Sequence, residues 1–197
     1  LFGHPIYAAG IMPGFGTSHF EMMTKYRQVS GFGVMLVDSP IKQNKVLWNF
    51  YDQKPDIFYR LSDSDKERLR FAAIKGVEIM FGSGASDVML PSEEPIGPLP
   101  KSHFRKKKEA QYCNELKFLP HQTTITSAHC QSTVSMGEDH KTGILNSRCE
   151  SKYIKNLMVC DSSSFPDSCG ANPMVSIMTM ARYQGIRVAN ELARYDL

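Results

Sequence analysis

The sequence predicts an α+β fold: an antiparallel sheet with packed helices, followed by a C-terminal strand, loop and helix. Three observations carry this. Short β-favouring runs recur at 30–40, 45–52 and 56–62. One long segment after residue 64 repeats its apolar residues at helical spacing. Near the end, the apolar run NLMVCD leads through a turn-rich loop into an Asn-Pro helix start.

In chain order, residues 1–24 mix Gly, Pro, Met and aromatics without a sustained period, which predicts a loop leading into a short helix. SGFGVMLVDSP (30–40) has a β-favouring centre bounded by Gly and Pro, and KVLWNFYD (45–52) and DIFYRLS (56–62) follow as further strands. Ser64 with Glu67 forms a capping-box pattern. Beyond it Leu69, Ala72, Ala73, Gly76, Val77 and Met80 share one helical face, and Gly82 and Gly84 supply the stop. Pro91, Pro95, Pro98 and Pro100 mark 91–104 as a surface connection, with a short helix near 102–116.

The bulk numbers narrow the function. The chain has 197 residues, 42% apolar and 22% charged, as in a folded soluble protein. A net charge of +3 gives no ground for nucleic-acid binding, and the single basic run, RKKK at 105–108, reads as a solvated surface. Cys113, Cys130, Cys149, Cys160 and Cys169 show neither a CxxC pair nor zinc spacing, so no metal site is expected and a reduced, intracellular setting is favoured. No apolar run approaches the roughly 20 residues of a membrane span. The opening LFGHPIYAAG has no Met and no signal-peptide pattern, and reads as a fragment or a processed chain.

Chemistry concentrates in two stretches. TTITSAHCQSTVSMGED (123–139) sets His129 among hydroxyl side chains able to satisfy or tune an imidazole. A histidine, with an ordinary pKa of about 6.5, suits proton removal near neutral pH. His121 is a rival without motif context, and His4, His19, His103 and His140 read as surface or loop residues. Cys130 follows His129 directly, a spacing that points the two side chains apart on an extended chain and argues against a thiol nucleophile. In the second stretch, NLMVCDSSSFPDSCGANPM (156–174), a buried strand is predicted to end at Asp161, and Asn172-Pro173 to open a helix with Asn172 as cap. Met174, Ile177, Met178, Ala181, Ile186 and Ala189 would form that helix's apolar side. A helix N-terminus aimed at a strand end favours an anion, such as a phosphate or a reduced flavin. The same residues also fit a plainer reading, in which Asn172 only caps and Asp161 only ends a strand.

Together, TSAHCQSTVSMGED and, about 20 residues later, NLMVCDSSSFPDSCGANPMVSIMTMARYQGIRVAN resemble the C-terminal signature of the glucose-methanol-choline (GMC) flavoprotein oxidoreductases. That signature has a His-x-x-Gly-Thr-x-x-Met-Gly pattern, a Val-x-Asp-Ala/Ser-x-x-x-Pro strand and loop, and a Gly-x-Asn-Pro helix start. HFEMMTKYRQVSGFGVMLVDS and YRLSDSDKERLRFAAIKGVEIMFGSGA are similar to the long-chain fatty alcohol oxidase branch. Ser132-Thr133 stands where the family has Gly-Thr, and Ile144-Leu145-Asn146 where it has Val-Val-Asp.

The resemblance implies FAD as cofactor. It makes His129 and Asn172 the catalytic pair beside flavin N5, with hydride passing from a long-chain primary alcohol to N5. It places Asp161, Ser162, Asn172, Pro173 and Met174 against FAD. It also implies a substrate-binding domain over 1–150 and a returning segment of the FAD-binding domain over 151–197. No G-x-G-x-x-G follows a strand anywhere in the chain. The rest of the FAD-binding α/β domain is therefore expected from elsewhere, in the same parent protein or a separate chain, with the present chain inactive alone. An apolar small-molecule substrate, no nucleic acid, and a membrane or multi-subunit association complete the expected partners. Two alternatives share the architecture: a flavin-dependent fatty acid photodecarboxylase, and a catalytically degenerate structural subunit of a larger assembly.

Overall fold

The computed structural model describes residues 4–31, 33–39, 41–139 and 141–192. Pro40, the end of one predicted strand, and His140 lie outside them. The chain divides into two compact units, Leu1–Leu36 with Leu61–Thr126 and Val37–Arg60 with Ser127–Leu197.

The first unit opens on helices α1 (Pro5–Ile11) and α2 (Gly16–Thr24), two helices where one was expected. Its centre is the helix α3 (Asp63–Gly82). The predicted face holds: Leu69, Ala72, Ala73, Gly76, Val77 and Met80 are all buried or half-buried. The start is corrected by two residues. Ser62, not Ser64, is the cap, its Oγ accepting from Asp65 N–H at 3.0 Å and donating to Asp65 Oδ2 at 2.7 Å. The SDSDKE run offers two Ser-to-acid pairs three apart, and the first of them closes. At the other end Gly84, at φ +95°, lets Ala85 N–H reach Met80 O and Gly84 N–H reach Phe81 O, both at 3.1 Å. These two bonds satisfy the terminal carbonyls as a left-handed glycine cap does.

The face of α3 packs on a 3₁₀ helix, Lys107–Glu115, within the predicted 102–116. Val77, Val88, Ile96, Phe104, Cys113 and Leu116 form the core between them. Strands β3 (Val88–Met89) and β4 (His103–Phe104) close the Pro-rich connection as an antiparallel pair. Inside it Glu94 is 2% exposed, and its carboxylate accepts from Lys117 N–H at 2.8 Å, Leu119 N–H at 2.6 Å and the Thr123 hydroxyl. Three donors offset the cost of burying that group.

The second unit contains the hairpin of β1 (Lys45–Asn49) and β2 (Lys54–Phe58), antiparallel with Asn49 opposite Lys54. Asn49 Oδ1 accepts from Tyr51 and Asp52 N–H at 3.0 and 3.1 Å, which sets the turn. The third expected strand is absent: residues 33–39 carry no ladder, and Met35 is 63% exposed. A β-favouring run stays irregular without a hydrogen-bonded neighbour. The expected sheet is therefore two two-stranded pairs.

NLMVCD is likewise no buried strand. Asn156 is left-handed at φ +62°, Leu157 is 42% exposed, and only an isolated bridge joins Met158 to Glu150. The helix α4 (Met174–Asn190) follows as predicted, but Pro173 occupies the cap position and Asn172 lies one residue outside it. Its inward face also differs from the predicted one. Met174, Met178 and Ile186 are more than half exposed, whereas Gln184 is 2% exposed and Arg187 is largely buried. Arg187 earns that place by donating to Gln184 Oε1 at 2.7 Å, Arg148 O at 2.8 Å and Glu150 Oε1 at 3.2 Å. Among the described residues no helix is long and apolar enough to cross a membrane.

Candidate functional site

From Ser127 onward the first chemistry-bearing stretch runs beside the other in the second unit. Ser132, Val134 and Met136 donate their N–H groups in turn to the carbonyls of Ser162, Ser163 and Ser164, at 3.3, 2.9 and 2.9 Å. Ser162 Oγ donates to Cys130 O at 2.9 Å. Asp161 caps the short 3₁₀ turn Ser162–Ser164 by accepting from Ser163 N–H at 2.8 Å. Two of the five expected cofactor-binding residues, Asp161 and Ser162, thus fix the local backbone.

Gln131 extends this stitch. Its Oε1 accepts from Cys169 N–H at 3.1 Å, and its Nε2 donates to His129 O at 3.2 Å. One side chain therefore ties the histidine's backbone to the loop that leads to Asn172. Gln131 was not among the expected site residues. Its partners are backbone groups, one of them 38 residues away, and no sequence spacing announces such a pair.

His129 is half-buried, and among the described residues its ring has no hydrogen-bond partner. The other histidines differ. His4 caps α1 by accepting from Ile6 N–H at 3.3 Å, His19 lies 3.0 Å from Ala9 O, and His103 lies 3.1 Å from Asp87 Oδ1. His121, the rival, is exposed at φ +64° in the first unit. Asn172 is exposed and its amide is likewise unengaged among the described residues. Pro173 is buried and Met174 is 66% exposed. Ser132 sits at φ +66°, a left-handed conformation in which glycine carries no steric penalty.

Beyond His129 the Met-Gly step of the motif has a distinct task. A Cβ on Gly137 would lie 2.5 Å from Thr142 C, and one on Gly143 would lie 2.5 Å from Met136 C. The backbone crosses itself here at a distance only two glycines permit. Lys152 Nζ clamps the crossing by donating to Gly137 O at 2.7 Å, Asp139 O at 2.5 Å and Gly143 O at 3.0 Å. Donation from the Thr142 hydroxyl and N–H and from Lys141 N–H, with the Lys152 charge nearby, holds the Asp139 carboxyl below its usual range.

Comparison with known proteins identifies the family. The family model of GMC oxidoreductases, in its C-terminal domain, matches residues 42–181, more than half of the chain. The chain belongs to the GMC oxidoreductase family. A long-chain-alcohol oxidase of Arabidopsis thaliana is 26% identical over 199 residues, covering 97% of this chain and 26% of that protein. A second from the same plant is 26% identical over 183 residues, with 88% and 23% covered. A GMC-type oxidoreductase of Mycobacterium tuberculosis is 21% identical over 173 residues, with 87% and 25% covered. This GMC chain spans about a quarter of the length of those relatives.

Proposed function

We propose that this chain is the C-terminal portion of an FAD-dependent alcohol oxidoreductase acting on a primary, long-chain alcohol. The observation that carries the reading is the stitching of two loops that each present an unengaged polar side chain, His129 and Asn172, in a GMC-family chain. The long-chain-alcohol oxidases among its relatives support the substrate class.

The residues present fit the redox end of a flavin. The first helical bond of α4 runs from Ile177 N–H to Pro173 O at 2.8 Å, so the N–H groups of Met174, Val175 and Ser176 have no acceptor within the helix. Those donors, with about half a positive charge at the helix end, would hold an electron-rich ring edge, and Asn172 would add its amide. A bound flavin supplies the two-electron acceptor. The nucleotide-binding remainder comes from the parent polypeptide or from a separate chain.

Oxidation of an alcohol to an aldehyde removes a hydroxyl proton and a hydride. His129 takes the proton, and Asn172 orients the hydroxyl oxygen by donating an amide hydrogen. A histidine whose ring is not already bonded to protein has a nitrogen lone pair open to that proton.

The test uses the native assembly. Its visible spectrum should show flavin bands that bleach on adding a fatty alcohol anaerobically, and a colourless assembly would refute the proposal. His129→Ala should cut turnover by roughly 10²-fold or more while the bands remain, the usual scale for losing an acid–base group. Unchanged turnover would remove His129 from the chemistry.

A further inference from the structure

Two features of the first unit stand outside the chemistry above: the basic run 105–108 and a bare aromatic at the corner between α1 and α2. Arg105, Lys106, Lys107 and Lys108 are all exposed where the 3₁₀ helix begins. Arg105 stands 4.0 Å from Asp87, whereas Lys106, Lys107 and Lys108 form no ion pair among the described residues. Glu109 is spent on the backbone, accepting from Arg105 and Lys106 N–H at 2.7 and 3.0 Å. Glu78 is paired with Lys75 at 2.8 Å. At the corner Phe15 is 91% exposed, and Phe20 within α2 is 68% exposed.

The two features belong to one surface. A Cβ on Gly14, beside Phe15, would lie 3.5 Å from Glu93 Oε1, and Glu93 Oε2 lies 2.7 Å from Lys101 Nζ. Lys101 in turn lines a cavity of about 250 Å³ together with Leu99, Pro100, His103, Arg105 and Glu109. A run of contacts thus leads from the aromatic corner to the basic run. Lys101 and the four cations of 105–108 outnumber Asp87, Glu93 and Glu109, so the surface keeps a net positive charge.

We propose that this surface docks on an anionic lipid bilayer, with Phe15 entering the headgroup boundary and 105–108 facing the anionic lipids. Surfaces that combine bare aromatics with Lys and Arg settle in that interface plane. A basic cluster adds an attraction that reaches about one Debye length. The choice of a bilayer over another polyanion rests on the long-chain alcohol reading. Each CH₂ of such a chain favours hydrocarbon over water, so the substrate dissolves in membranes and a docked enzyme meets it there.

The test is sedimentation of the native assembly with phosphatidylcholine vesicles, with and without about one-third phosphatidylserine. Retention should require phosphatidylserine and fall as salt rises. Lys106→Gln, Lys107→Gln and Lys108→Gln together should weaken it by roughly 100-fold, about fivefold per charge. Phe15→Ser should weaken it by about tenfold. That variant should not lower the melting temperature, because Phe15 caps α2 without a side-chain bond and serine is a preferred cap. No retention on anionic vesicles, or retention unchanged by either variant, would overturn the docking surface. So would a lower melting temperature for Phe15→Ser, which would show the corner covered by protein. The measurement needs neither flavin nor turnover. A colourless assembly that binds the vesicles would refute the oxidoreductase reading alone, and an active flavoprotein that ignores them would refute the docking surface alone.

Discussion

Gly137→Ala tests whether the Met-Gly step of the motif is a backbone crossing. The added methyl would stand 2.5 Å from Thr142 C and 2.6 Å from Gly143 N. Carbon contacts are comfortable at about 3.5 Å, so the two segments must part by roughly 1 Å. Neither neighbour is a flexible side-chain end, so the strain cannot be relieved by a rotamer change. Overpacking costs about 1–3 kcal/mol. Parting also stretches the bonds from Gly137 N–H to Leu145 O (3.0 Å) and Ile144 N–H to Ser135 O (2.9 Å). Losing one or both adds about 1 kcal/mol each. The expected total is about 2–5 kcal/mol, a fall in the urea midpoint of roughly 1–2.5 M at a slope of about 2 kcal/mol/M. Gly185→Ala is the control, because nothing lies within 4 Å of its added methyl. It sits inside α4, where the change should stabilise by about 0.5–1 kcal/mol. A midpoint for Gly137→Ala within roughly 0.5 M of wild type would refute the crossing, since that is at most half of the smallest expected shift.

Other outcomes follow from the same geometry. Arg187→Met should destabilise by about 3 kcal/mol in urea, because Glu150 loses a partner inside a partly buried network; a loss under about 1 kcal/mol would show that Arg187 is dispensable there. Ser132→Gly should stabilise by roughly 0.5 kcal/mol, since relief of a left-handed penalty of about 1–2 kcal/mol exceeds the added chain entropy; a lower melting temperature would contradict this. Asp139 titrates below its unfolded value, so its contribution is present above that value, about 4, and is lost as pH falls through the lower folded one. Urea midpoints measured downward from pH 5 should therefore fall less for Asp139→Asn than for wild type, and parallel curves would exclude the role.

Long-period features were legible from the residues. The face of α3 and the existence of α4 follow from apolar spacing that local geometry alone enforces. The 30–40 and NLMVCD runs misled because strand formation depends on a neighbour that no run of residues encodes, and because Asn156 turns left-handed. On α4 the apolar count was right but the buried side was not, since Gln184 and Arg187 are drawn inward by partners on 148–150. His129 and Asn172 stood out through their motif company. Gln131 and Lys152 did not, because both act on carbonyls or amides, which every residue possesses.

The stitch at Cys130–Ser162 joins positions 32 apart in the chain. Closing a loop of that length costs about 3 kcal/mol in chain entropy before any bond in it is made. The candidate site therefore cannot form early from local preference, as α3 can, and belongs among the last parts to assemble. In amide exchange the N–H groups of Ser132, Val134 and Met136 should open together, as one cooperative patch. Any molecule that bridges both loops would slow that opening, which makes those three amides a reporter of binding that needs no turnover.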